Sequence, residues 1–399
     1  MSKTFCPLPW KHLATHPHGA VTLCCEAEHR DRLSESFDNG LTRTFKTLHT
    51  TEYDFDEIMN SESFSKVRQM MLNGEEPPQC KRCFDLERAN IKSKRQFDSE
   101  RLNFTEEQAI RITNADGTIN EVDYEFVELR LGNHCNVACR TCNPFSTSRW
   151  VKDWNRVNPE NPQTINQSLF NWPLDQNFWD KLLQCSEKLR FIYINGGEPL
   201  LVDKHLHFLK QLVDLDRAKN ITLVYSTNCT VINTDYEDVW KQFQHVQLML
   251  SIDDLEERNS YIRHPTKWEK VLNVIDWVKT LANSENISYN IMQTISAYNI
   301  FYMKEFHEYF SDVPYISLNF VTDPSYLDPS YLPEGIKTEI MMKLSNCEFF
   351  PTVESFLMQR TSNLVEEFYN KTILMDEIRK QNFAETFPEL YDMVKQYVK

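Results

Sequence analysis

The chain has 399 residues, 41% of them hydrophobic, with 11 cysteines and a formal net charge of -15. That length exceeds one ordinary core and implies two or three domains, while the acidity argues against broad electrostatic binding to nucleic acid. No apolar run approaches the ~18 residues of a membrane span, and the start MSKTFCPLPW lacks the regions of a signal peptide. A cytoplasmic protein with no membrane association is expected. In a reducing compartment, so many cysteines point to metal or redox chemistry rather than disulfides.

Residues 1–105 carry proline- and cysteine-bearing loops and the charged stretch IKSKRQFDSER, without a rhythm of strands and helices. They are expected to form a separate small domain. Its thiols are Cys6, Cys24, Cys25, Cys80 and Cys83. Cys80 and Cys83 form a C-x-x-C pair that grips one metal or cluster from a tight turn, and GAVTLCC presents a thiol at the end of a short strand. Four such thiolates suit structural zinc as well as an iron-sulfur cluster.

From residue 124 one alternation repeats. Short apolar or β-branched runs at 124–131, 189–195, 221–227, 246–252, 287–295 and 315–321 read as buried strands. Between them, 146–156, 175–187, 203–217, 235–243, 267–282 and 300–311 have helical spacing; in 267–282, Trp268, Val271, Leu272, Ile275 and Val278 share one face. Six strands alternating with helices predict a parallel α/β sheet curled into a partial (β/α)6 TIM-like barrel over 120–322. Residues 323–399 open on the loop DPSYLDPSYLPEG and continue as a helical C-terminal extension. Tyr326 and Tyr331 of that loop are candidates to line the mouth of the barrel.

HCNVACRTCNP (134–144) places Cys135, Cys139 and Cys142 directly after the first barrel strand, where α/β barrels keep their chemistry. A closed metal site wants four protein ligands. A zinc site completed from elsewhere and a cluster with one open iron are both compatible with three thiolates. After the second strand comes Asn195-Gly196-Gly197-Glu198-Pro199, whose glycines allow close approach to a ligand. The third strand ends in Ser226-Thr227-Asn228, the fourth in Ser251-Ile252-Asp253, and Arg263 follows in YIRHP.

In this order of motifs, residues 124–322 resemble the radical S-adenosylmethionine superfamily, whose signature is a C-x-x-x-C-x-x-C loop after strand one of a partial barrel. The resemblance implies that Cys135, Cys139 and Cys142 hold a catalytic 4Fe-4S cluster whose fourth iron is chelated by S-adenosylmethionine. It implies that reduction cleaves this cofactor to a 5'-deoxyadenosyl radical that takes hydrogen from substrate. Gly196, Gly197, Glu198, Ser226, Asn228, Ser251, Asp253 and Arg263 then correspond to cofactor-binding positions, with Arg263 pairing with the cofactor carboxylate. Thr141 departs from the family, where an aromatic residue often packs against adenine. The N-terminal half resembles the twitch and SPASM modules. This implies a second, auxiliary 4Fe-4S cluster on Cys6, Cys24, Cys80 and Cys83, with Cys25 turned away. The module usually follows the barrel, whereas here it precedes it.

Relatives act largely on peptides or proteins, so such a substrate is expected first, and a small molecule or nucleoside second. A flavodoxin- or ferredoxin-type electron donor is implied. A non-catalytic, zinc-stabilised binding protein is the rival from another class. Of the remaining thiols, Cys229 stands where relatives commonly have glycine; it is read as a small packing residue, with hydrogen-atom donation to a substrate radical as the sharper alternative. Cys185 reads as core packing, and Cys347 carries no interpretable signal.

Overall fold

The computed structural model describes residues 3–27, 48–88, 92–160 and 162–398. Residues 28–47 and 89–91 of the expected N-terminal domain, and Met1 and Ser2 of the start segment, lie outside the described residues. The strands are β1 (His12–Thr15), β2 (Val21–Thr22), β3 (Phe126–Leu131), β4 (Phe191–Gly196), β5 (Thr222–Thr227), β6 (His245–Ser251), β7 (Ile287–Ile295) and β8 (Ile316–Phe320). They are hydrogen-bonded in the order β2-β1-β3-β4-β5-β6-β7-β8, in one mostly parallel sheet that is not closed.

The six runs read from the sequence are β3 to β8, in chain order. Alternate residues of β5 and β6 are deeply buried, Leu223, Tyr225 and Thr227 on one and Val246, Leu248 and Leu250 on the other. That period of two leaves Ser226 and Ser251 on the opposite, half-buried side. The helix Trp268–Leu281 buries Val271, Val274, Ile275, Val278 and Leu281. The apolar stripe is the expected one, shifted so that Trp268 and Leu272 are only partly covered.

The chain packs as two compact units. The first comprises Met1–Gly132, Gln167–Val224 and Asp238–Val246, and the second Asn133–Asn166, Tyr225–Glu237 and Gln247–Lys399. In the first unit, β1 runs antiparallel to β2, with Ala14 opposite Thr22, and parallel to β3, with Leu13 opposite Val127. β3 is parallel to β4, with Leu131 opposite Gly196. Arg68 is fully buried there and donates to the carbonyls of Gly117 (2.8 Å), Pro9 (3.0 Å) and Met59. Its charge is thereby dispersed over three backbone acceptors.

In the second unit, β7 is parallel to β8, with Ile291 opposite Ile316. The extension forms the helices Glu334–Leu344, Phe350–Leu357, Val365–Arg379 and Pro388–Lys395. Their apolar faces, including Ile336, Ile340, Phe368, Leu390 and Val394, share a core with Ile295, Tyr298 and Tyr302. Tyr326 packs against this core, as does Cys347. Among the described residues no helix is long and apolar enough to cross a membrane.

Candidate functional site

In the first unit, Cys6, Cys24, Cys80 and Cys83 line one cavity together with Leu8, Glu26, Ala27, Lys94 and Arg95; Cys25 is not part of that lining. Each thiol arrives by a local device. Cys80 ends the 3-10 turn Pro78–Cys80, and Cys83 lies in the first turn of the helix Lys81–Arg88, so their side chains project from one tight bend. Cys24 follows β2, where the Thr22 hydroxyl donates to its carbonyl at 3.0 Å. Arg95 donates to the Phe5 carbonyl at 2.8 Å, fixing the backbone next to Cys6.

Burial raises the pKa of Cys6 and of Cys24, and pushes Cys80 up to about 12, with the neighbouring Cys83 adding to it. Thiols so protonated must shed protons on binding metal. Lys94 lines the same cavity, 3.0 Å from Asp98 and 3.8 Å from Glu128. Among the described residues, no three His, Cys, Asp or Glu side chains converge closely enough to hold a single metal ion.

The glycine turn also belongs to the first unit. Gly196 has φ +134°, and a Cβ there would stand 2.6 Å from the Leu131 nitrogen, so only glycine permits this approach of β4 to β3. Gly197 follows it half-buried. Glu198 is fully buried and accepts from Leu200 N–H at 3.2 Å, capping the turn Pro199–Leu201.

In the second unit, Cys135, Val137 and Cys139 form a small buried cluster in the loop after β3, with the half-buried Cys142 packed against it. Backbone bonds hold this loop against residues 262–264: Ala138 N–H donates to His264 O and Arg140 N–H to Ile262 O, both at 2.7 Å. Cys142 N–H donates to Cys139 O at 3.0 Å, and the Asn143 side chain accepts from the N–H groups of Phe145 and Ser146, each at 3.0 Å. Burial raises the pKa of Cys139, against the lowering influence of Arg263, and pushes Cys142 up to about 12, with Cys139 adding to it.

Two polar residues touch these sulfurs, Asn228 just after β5 and Arg263 at the C-terminal end of the helix Glu256–Ile262. Asn228 donates to Cys135 Sγ at 3.5 Å and to Asn136 Oδ1 at 2.8 Å. Arg263 Nη1 lies 3.9 Å from Cys139 Sγ, while its Nη2 donates to Asp253 Oδ1 at 2.9 Å and its Nε lies 2.8 Å from Asp253 Oδ2. Burial works against the Arg263 charge, but Asp253 and then Cys139 more than offset it and its pKa is raised. Asp253 is itself oriented by Thr294 N–H at 3.0 Å, while Gln293 and Asn299 hold its backbone carbonyl at 3.1 and 2.7 Å. Asp253 and Arg263 therefore form a prearranged buried ion pair beside Cys139.

Cys229 is fully buried with φ +59°, a left-handed conformation that suits glycine, and its thiol points back to Thr227 O at 3.7 Å. Tyr326 packs half-buried against the core of the extension, and Tyr331 carries Arg360 5.6 Å from its ring centre. Cys185 caps the helix Gln176–Gln184. Sequence reasoning overlooked Asn136, Arg140, Asn143 and Trp150, whose indole N–H donates to Cys139 O. Only Asn143 left a local signal, an Asn-Pro pair that initiates turns.

Residues 6–84 match the SPASM family, an iron-sulfur cluster-binding domain. No curated protein matches the chain. Among solved structures, the chain is similar to native anSMEcpe with bound AdoMet, at 16% identity over 62% of this chain and 66% of that one, with a TM-score of 0.38. It is similar to Streptococcus suis SuiB bound to precursor peptide SuiA, at 13% identity over 86% of this chain and 71% of that one, with a TM-score of 0.37. A third is TYW1 with a lysine-pyruvate adduct, at 17% identity over 56% of this chain and 74% of that one, with a TM-score of 0.33.

Proposed function

We propose that this chain is a radical S-adenosylmethionine enzyme with an auxiliary iron-sulfur cluster, acting in the cytoplasm on a peptide or protein. The functional regions proposed are the auxiliary-cluster region 1–105, the catalytic region 120–322 and the extension 323–399. The observation that carries the reading is the three-cysteine loop. Its three thiols pack together, and two of them are touched by polar side chains, Asn228 just after β5 and Arg263 at the end of the helix Glu256–Ile262. The same chain carries four further cysteines that line one cavity within the SPASM-matching segment.

The donor sets fit the groups assigned to them. Soft thiolates suit iron-sulfur clusters, and three of them leave one iron open, whereas Cys6, Cys24, Cys80 and Cys83 make a closed set suited to electron transfer or structure. When bound and reduced, the catalytic cluster and S-adenosylmethionine supply a 5'-deoxyadenosyl radical for hydrogen abstraction. The protein's part is orientation. Asn228 fixes the direction of Cys135, and Asp253 holds Arg263 with its Nη1 side toward Cys139, the side left for a carboxylate. Gly196, Gly197 and Glu198 are assigned to the methionine end of the cofactor, with Ser226 and Ser251 as further contacts. A flavodoxin- or ferredoxin-type donor is assigned as the electron source.

Anaerobic purification followed by iron and sulfide analysis tests the reading. It expects about eight of each per chain, as two 4Fe-4S clusters require; zinc with negligible iron supports a scaffold instead. Incubation of the reduced, reconstituted protein with S-adenosylmethionine is expected to yield 5'-deoxyadenosine. None from well-reconstituted protein rejects the enzyme. Mass spectrometry with peptide and nucleoside pools then separates the two substrate classes.

A further inference from the structure

We propose that the helix Val365–Arg379 is a positioning element for the three-cysteine loop, holding it through Asp376 and setting the charge beside Cys139 through Arg379. The proposal rests on the reading that this loop carries a cluster. Asp376 and Arg379 are three residues apart and so share a helix face.

Asp376 uses both oxygens. Oδ1 accepts from the Arg140 guanidinium and from Tyr261 OH at 2.6 Å, and Oδ2 accepts from Phe383 N–H at 2.6 Å. Arg140 directly follows Cys139 and is buried. It also donates to Gln381 Oε1 at 3.0 Å and Tyr298 OH at 3.3 Å, and its guanidinium lies 3.8 Å from the Tyr261 ring centre. A buried ion pair tied down by further hydrogen bonds is a stiff joint, and losing one partner strands a buried charge. The joint sits on the residue next to an expected iron ligand, so the helix controls where that ligand stands.

Arg379 approaches the loop by a second route. Its Nε donates to Asp153 Oδ2 at 3.0 Å, and its guanidinium lies 5.0 Å from the ring centre of Trp150, the residue that donates to Cys139 O. Its charge acts on Cys139, as that of Arg263 does. Arg379 is only 8% exposed, yet Nη1 and Nη2 have no hydrogen-bond partner among the described residues. Leaving buried donors unpaired is costly. Cluster sulfurs are acceptors of the kind such donors need, and charge and hydrogen bonds at those sulfurs set a cluster's reduction potential. A cation there favours the added electron and raises the potential.

The test uses the full-length, anaerobically reconstituted chain. Iron loss to a chelator and an electron paramagnetic resonance redox titration are followed for wild type, Asp376→Asn, Tyr261→Phe, Arg379→Gln and Arg379→Lys. Asp376→Asn is expected to release the loop iron roughly 10- to 100-fold faster, the range for lost second-layer partners, with auxiliary iron retained. Arg379→Gln is expected to lower the midpoint potential of the loop cluster, and Arg379→Lys to restore much of it. Wild-type iron release in Asp376→Asn, or an unchanged potential in Arg379→Gln, overturns the proposal. A purely structural helix would lower the melting temperature without moving the potential. If Asp376→Asn does not fold, Tyr261→Phe, which removes one hydrogen bond and no charge, decides in the same way. Failure of the functional reading shows separately: a triple Cys135→Ala, Cys139→Ala, Cys142→Ala chain with wild-type iron means that no cluster sits on the loop.

Discussion

Cys139 is held at both its carbonyl and its sulfur. Its carbonyl accepts from Trp150 and Cys142, and its sulfur faces Arg263. Cys139→Ala is therefore expected to abolish 5'-deoxyadenosine formation and lose about half the iron, with the auxiliary set still loaded; iron analysis and product assay check both. Gly196 is constrained differently, by a backbone that passes too close for any side chain. Gly196→Ala should cost roughly 1–3 kcal/mol, the scale of enforced backbone strain, read as a lower melting temperature in the metal-loaded chain. At Cys229, burial and the contact to Thr227 O favour packing over chemistry. Cys229→Ala should leave iron content and 5'-deoxyadenosine production unchanged, and a lost hydrogen-quenched product would restore the chemical role.

At the scale of elements, the Pro78–Arg88 bend presents Cys80 and Cys83 from one 3-10 turn and one helix start. Changing both to Ala should empty the auxiliary site while the loop cluster still assembles. Full iron content and substrate turnover in that variant would falsify the auxiliary assignment. Strands β3 to β8 were legible because each is a run of apolar or β-branched residues of ordinary strand length, bounded by polar turns. β1 was not. His12–Thr15 is only four residues long and shows no alternation, because all four are buried. Its strand character comes from pairing with Phe126, Val127 and Glu128, more than a hundred positions away. The glycine turn was legible as GGEP, whereas the reason for its first glycine, the proximity of Leu131, was not.

For the molecule as a whole, buried histidines predict acid sensitivity. Burial lowers the pKa of His18, His205, His264 and His307 to about 4, and of His12 to about 3. A folded pKa below the unfolded value of about 6.5 means that the unfolded chain binds more protons between those values. Stability is then full above pH 6.5 and is lost as pH falls toward 4. Melting temperature should fall over that window, less steeply in His205→Gln, because that ring is fully buried. Asp254 acts in the opposite sense: burial raises it to about 7 against the pull of Arg258, so its contribution fades as pH rises through 7. An Asp254→Asn chain melted across pH 5 to 8 separates the two effects. What the sequence by itself determined was local: the strand and helix periods, the cysteine spacings and the strand-end polar residues, all set by side-chain chemistry within a few positions. The Arg140–Asp376 joint, and the bonds by which Asp253 holds Arg263 beside Cys139, were decided only by tertiary structure. Arg140 and Asp376 are 236 residues apart, and nothing in either residue's neighbourhood encodes the other.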